Sequence, residues 1–146
     1  MGLDMYLNAS RFLCHTETDL KVSIAALIVP APGEPKTVTV EACYWRKANA
    51  IHAWFVKNVQ KEVDDCGVYY VSLENITTLR DLCRQVLADP SLAPTLLPAQ
   101  SGFFFGSTAY DDNYLDDLRH TDERLTTLID NADTYKNWSY EYHSSW

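Results

Sequence analysis

The sequence lacks the features that most quickly assign a protein to a class. Its longest apolar run, residues 24–29, is about a third of what a membrane-spanning helix needs. Its four cysteines, Cys14, Cys43, Cys66 and Cys83, form no Cys-x-x-Cys pair, which argues against a zinc ribbon. There is no Rossmann glycine fingerprint, no P-loop, no G-x-S-x-G elbow and no H-E-x-x-H pair. Positive charge is scarce: 12 Lys and Arg stand against 20 Asp and Glu, a net charge of −8. Nucleic-acid backbones and anionic lipid require counter-charge from the protein, so neither is an expected partner. The opening segment MGLDMYLNASRFL has no basic start followed by an apolar stretch and does not read as a signal peptide. The expectation is a cytosolic location with free thiols, each cysteine a small buried apolar residue.

What the chain does have is the make-up of one small globular domain. Its 146 residues suit a single core, expected over residues 1–146, and 47% of them are hydrophobic. Aromatics reach 12%, with 4 Trp and 9 Tyr. Alternation predicts strands over residues 1–13 and 37–45, and β-branched residues predict another over 22–29. A proline-rich loop is expected at 30–35. Helical periodicity follows over 47–60, with Ala48, Ile51, Phe55 and Val59 in one stripe. A turn at 63–67 leads to a short strand at 68–71. Ser72 then caps a helix running to about Ala88, with Asn75 in the box position, and Asp89-Pro90 ends it. Residues 91–100 read as irregular, 110–131 as a helix capped by Ser107 or Thr108, and 135–146 as a last strand. The predicted order β-β-β-α-β-α-α-β disfavours a doubly wound sheet. The expected fold is α+β: an antiparallel or mixed sheet with about three helices on one face and the terminal strands paired.

Two segments concentrate mixed chemistry. The first, Tyr44-Trp45-Arg46-Lys47-Ala48-Asn49-Ala50-Ile51-His52, spans a strand-to-helix junction. Helix N-termini present free N–H groups, and Arg46 and Lys47 there could clamp a phosphate. Trp45 could stack a base, and Asn49 and His52 could bond ribose or base edges. Read blandly, Tyr44 and Trp45 are core residues, the cations are solvated, and His52 flanks the core stripe. The second segment, Gln100-Ser101-Gly102-Phe103-Phe104-Phe105-Gly106-Ser107-Thr108, brackets three aromatics with glycines. Read as a strand it points Phe103 and Phe105 one way and Phe104 the other, toward a pocket or partner; a strand buried on both faces is the alternative. Asp64-Asp65-Cys66 with His52 could hold a metal, but the spacing fits no standard site and a turn explains it. Cys66 lacks a base that could be placed beside it, and Asp116, Asp117 and Glu123 read as the solvated face of the last helix.

The blocks MGLDMYL, YWRKANAIHAWFV, DDCGVYYVS, LLPAQSGFFFGSTAYDDNY and the ending SSW resemble a family of small phage and prophage proteins. The resemblance covers most of the chain apart from residues 31–36 and 89–94. It carries no catalytic residue; it implies action inside a bacterial host. By analogy, small phage proteins of this kind act as sponges for nucleotide immune signals. The expected function is therefore sequestration, without cofactor or metal, of a nucleotide-derived signal such as a cyclic or conjugated ADP-ribose. Trp45 and Phe103, Phe104 or Phe105 would stack the base, Arg46 and Lys47 would neutralise phosphate, and Asn49, His52, Gln100 and Ser101 would supply hydrogen bonds. A small hydrolase or phosphodiesterase using His52 with Asp64 or Asp65, or a protein inhibitor with an acidic docking surface, are the alternatives. Phe104, Trp138, Tyr140, Tyr142 and Trp146 look like more aromatic area than one core needs, which suggests a homodimer with ligand sites near the subunit boundary.

Overall fold

Alternation of apolar and polar residues builds the centre of the sheet. In the computed structural model, which describes residues 2–28 and 32–146, strand β1 (Asp4–Phe12) lies at the centre, flanked by β2 (Thr37–Arg46) and β4 (Ser139–Ser145). A short β3 (Tyr69–Val71) pairs with β4, giving the order β2-β1-β4-β3 with every pairing antiparallel. The terminal strands do pair, with Leu7 opposite Tyr142 and Ala9 opposite Tyr140. Leu3, Met5, Leu7, Cys43, Trp45, Tyr140 and Tyr142 enter the core. Their alternates Tyr6, Asn8, Glu141 and His143 form a half-exposed outer face.

The connections carry the helices: α1 (Thr18–Leu27) after β1, α2 (Asn49–Asn58) after β2, then α3 (Leu73–Ala88), α4 (Ala93–Leu96) and α5 (Asp112–Asp130) between β3 and β4. The Ser72 side chain accepts from Asn75 N and the Asn75 side chain accepts from Ser72 N, so the capping box forms as the sequence implies. Ile76, Leu79, Cys83 and Val86 of α3 pack with Tyr114, Leu118, Leu125 and Leu128 of α5 in the core cluster.

Helix α5 also lies along β2, the longer edge of the sheet. Arg124 donates to Ala42 O from Nη2 at 2.6 Å and from Nε at 3.1 Å. His120 Nε2 meets Tyr44 O at 3.0 Å, and Trp45 Nε1 donates to Thr121 Oγ1 at 2.8 Å. Edge carbonyls left open invite pairing with another chain; here the helix satisfies two of them.

Several expectations are corrected. Residues 22–27 belong to a helix, not a strand, with Ile28 as its C-cap, while Val29, Pro30 and Ala31 lie outside the described residues. A short apolar run has no decisive periodicity, and the Ala25-Ala26 pair favours helix; Lys21 is the buried residue of α1, so burial did not set its period. Residues 90–96 form a 3-10 turn (Pro90–Leu92) and then α4, because proline suits the first turn of a helix. The described residues thus hold five α-helices, more than the three expected. Asp111, rather than Ser107 or Thr108, caps α5 by accepting from Tyr114 N at 3.1 Å. Residues 103–105 form a turn: Phe105 is buried, Phe104 half-buried and Phe103 fully in solvent, so strand alternation does not apply. Cys14 and Cys66 are exposed, and Cys43 and Cys83 are buried. Tyr140 and Tyr142 are spent in the core of the single chain, which removes them from the surplus attributed to an interface. Among the described residues no helix is long and apolar enough to cross a membrane.

Candidate functional site

The two chemically mixed segments meet in space. Leu3 stitches their backbones: its N–H donates to Phe104 O at 3.1 Å, and its carbonyl accepts from Lys47 N at 2.8 Å. Asn49 then clasps them. Its Oδ1 accepts from Gln100 N at 3.0 Å, while Nδ2 donates to Phe105 O at 3.0 Å and to Ser107 O at 2.7 Å. Asn49 is buried, and its amide group is thereby committed to the scaffold.

Closing this junction demands unusual backbone. Lys47 sits at φ +59°, a region few side-chain-bearing residues adopt. Gly106 lies against it at φ +85°, and a Cβ placed on Gly106 would fall 3.2 Å from Lys47 Cβ. Gly102 serves differently: a Cβ there would meet the Phe105 ring at 2.6 Å, so the ring packs directly on bare backbone.

The result is a pocket of about 350 Å³ between the start of α2, the 106–109 loop and the first turns of α5. Arg46, Lys47, Asn49 and Ser107 line it, together with Asp111, Asp116 and Asp117. The N-cap of α2 is Ala48, which provides no side-chain cap. The first-turn N–H groups at Ala50 and Ile51 therefore keep their capacity to bind an anion, with the positive end of the helix dipole behind them. Arg46 lies 3.8 Å from Asp4 and is largely exposed; Lys47 has no ion-pair partner among the described residues.

Asp117 was expected on the solvated face but lines the pocket, half-buried. Among the described residues no side chain hydrogen-bonds its carboxyl. Burial raises its pKa from 3.8 to about 6, and the negative charges of Asp116 and Asp111 add to the rise. A carboxyl raised in the folded state binds its proton more tightly than in the unfolded chain. Stability is then greatest below about pH 4, falls as pH rises toward 6, and the cost is complete above that. The full displacement corresponds to about 3 kcal/mol, which solvent screening of this half-exposed group reduces to about 1 kcal/mol. Asp117→Asn should therefore unfold at higher urea than the native protein at pH 7.5 and at the same urea near pH 4. Equal midpoints at both values would exclude an unfavourable carboxylate.

The remaining candidates lie elsewhere. Trp45 is buried, with its indole N–H taken by Thr121, and offers no face for stacking. Tyr44 is on the outer sheet face, its ring 5.3 Å from Tyr6 and its hydroxyl donating to Asp4. Phe103 projects into solvent against Phe104, and Phe105 packs edge-on to His52 at 5.1 Å. Gln100 contributes its N–H to Asn49, and Ser101 is exposed outside the pocket lining.

His52 is fully buried and works in the core. Nε2 donates to Asp64 Oδ2 at 3.0 Å, which leaves Nδ1 to accept from the Tyr142 hydroxyl at 2.8 Å. Asp64 Oδ1 accepts from the Trp146 indole at 3.2 Å, so the chain of bonds ties β4 to the turn after α2. Asp65 Oδ1 accepts from Gly67 N at 2.9 Å, the geometry of a turn. Burial pushes the Cys43 thiol up to about 12, which keeps it protonated and non-nucleophilic.

Sequence reading missed Asp111 and Asp117. Asp111 was legible as Asp-x-x-Tyr at a helix start; Asp117 gave no signal, because the opposite wall of its pocket is the start of α2, distant in sequence. The chain matches no family model, no curated protein and no solved structure.

Proposed function

We propose that this protein binds and sequesters a small phosphate-bearing ligand of nucleotide type in the pocket between α2 and α5. The observation that carries the reading is the uncapped start of α2 facing the same pocket as Arg46 and Lys47. Phosphate would sit against the free amides and the two cations, and the acidic wall would take donor groups of the sugar or base. The volume, about 350 Å³, is at the small end for ligand pockets and suits a mononucleotide-sized portion. A larger conjugated or cyclic ADP-ribose would extend beyond it, and a second copy covering the mouth would complete the enclosure. The resemblance to phage and prophage proteins supports a host immune signal as the ligand and a role in blocking host defence.

Base stacking by Trp45 and the phenylalanines is not part of this proposal, since those rings do not line the pocket. A hydrolytic reading through His52 loses its basis too, because both ring nitrogens are engaged within the core. Hydrolysis remains a second reading on different grounds: Asp117, with its carboxyl raised to about 6, could act as general acid or base on a bound phosphate ester.

Incubation with candidate nucleotides, removal of free ligand, heating and chromatography of the released material separates these readings. Sequestration predicts intact nucleotide from the native protein and about a hundredfold weaker binding in an Arg46→Ala, Lys47→Ala double variant, the loss of two charge-assisted contacts. Cleavage products would instead establish an enzyme. Recovery of no nucleotide above a heated-buffer control would refute both.

A further inference from the structure

We infer that Asp117 determines which ligands the pocket accepts, by pairing with the vicinal hydroxyls of a ribose whose phosphate lies at the start of α2. This rests on the phosphate-binding reading above and adds the chemistry at the other end of the pocket. The pocket is polarised. Its α2 side offers Arg46, Lys47 and uncapped N–H groups, all donors; its α5 side offers Asp111, Asp116 and Asp117, all acceptors.

The three carboxylates are not equivalent. Asp111 is committed to capping α5 through Tyr114 N. Asp116 is exposed and paired with Arg119 at 2.5 Å. Asp117 is more enclosed, and no described side chain bonds it. The charges that perturb Asp117 after burial are those of Asp116 and Asp111, both negative, and among the described residues no Lys or Arg forms an ion pair with it. A half-buried carboxyl that lacks a protein partner favours a ligand that brings one. A carboxylate accepts two hydrogen bonds side by side, which matches a cis-diol, and it repels a second phosphate. The pocket therefore selects a monophosphate that carries sugar hydroxyls over a phosphate without them.

Titrations of the intact protein at pH 7.5 with inorganic phosphate and with ribose 5-phosphate test this. The native protein should bind ribose 5-phosphate about tenfold more tightly than phosphate. Asp117→Asn should erase that preference, weakening the sugar phosphate while strengthening inorganic phosphate. Asp112→Asn, which removes a charge from the same helix at an exposed position outside the pocket lining, should keep it, which separates a specific contact from a general change in charge. Equal affinities in the native protein, or a preference that survives Asp117→Asn, would overturn the inference while leaving phosphate binding standing. Failure of both probes to bind would overturn the phosphate reading and this inference together.

Discussion

Asn49→Ala is expected to cost about 3 kcal/mol of stability and to open the loop that walls the pocket. The side chain makes three hydrogen bonds to the backbone of residues 100–107, and it is buried. Each net bond contributes about 1 kcal/mol, and Phe105 O would lose its donor at a buried residue, while exposed Ser107 can turn to water. Asn49→Asp is the sharper variant. It keeps an oxygen for Gln100 N but presents lone pairs to two carbonyls, so it should destabilise about as much as alanine. Urea unfolding gives the energies, and amide exchange at Gln100 gives the local effect. Protection at Gln100 that survives in both variants would show that the loop is held by something other than Asn49.

The second large effect is expected at His52. Replacing it by alanine removes a fully buried ring that packs edge-on to Phe105. It also leaves the buried Tyr142 hydroxyl without its acceptor. Cavity formation and the stranded hydroxyl together should cost about 3 to 4 kcal/mol. Asp64→Asn should cost about 1 kcal/mol, since its amide oxygen still accepts from Nε2. Denaturant midpoints compare the two. Equal losses would mean that the charge on Asp64, rather than the shape and bonding of His52, dominates this region. Both variants should leave the α2–α5 pocket able to bind wherever the protein is folded, because neither residue lines it.

Strands β1 and β4 were legible because each buries one face, and burial on one face writes itself as alternation; β2 alternates in sequence, but its first half is not buried and Ala42 and Cys43 are buried side by side. The start and end of α3 were legible because Ser72, Asn75 and Asp89-Pro90 act through local backbone chemistry. Helix α1 was not: its apolar residues are mostly exposed, so packing never imposed a period on them. The candidate segments were noticed by composition, and they do meet. Composition could not show which side chains turn inward. Trp45 and Phe105 went to the core, while Lys47 and Ser107 went to the pocket. Nor could it show that Asn49, which looked like a ligand contact, is the clasp between the two segments. Asp117 was hidden because helix periodicity marks it as polar and outward, and only the start of α2 on the opposite wall makes outward mean toward the pocket.

Amide chemical-shift mapping during titration with a nucleoside monophosphate addresses the central claim most directly, since it reports where a ligand binds as well as whether it does. The account predicts saturable shifts at Lys47, Ala50 and Ile51, at Gly106 and Ser107, and at Asp116 and Asp117, with the outer sheet face around Tyr6 and His143 unchanged. Shifts confined to the outer sheet face or to α1, or none at saturating ligand, would contradict it.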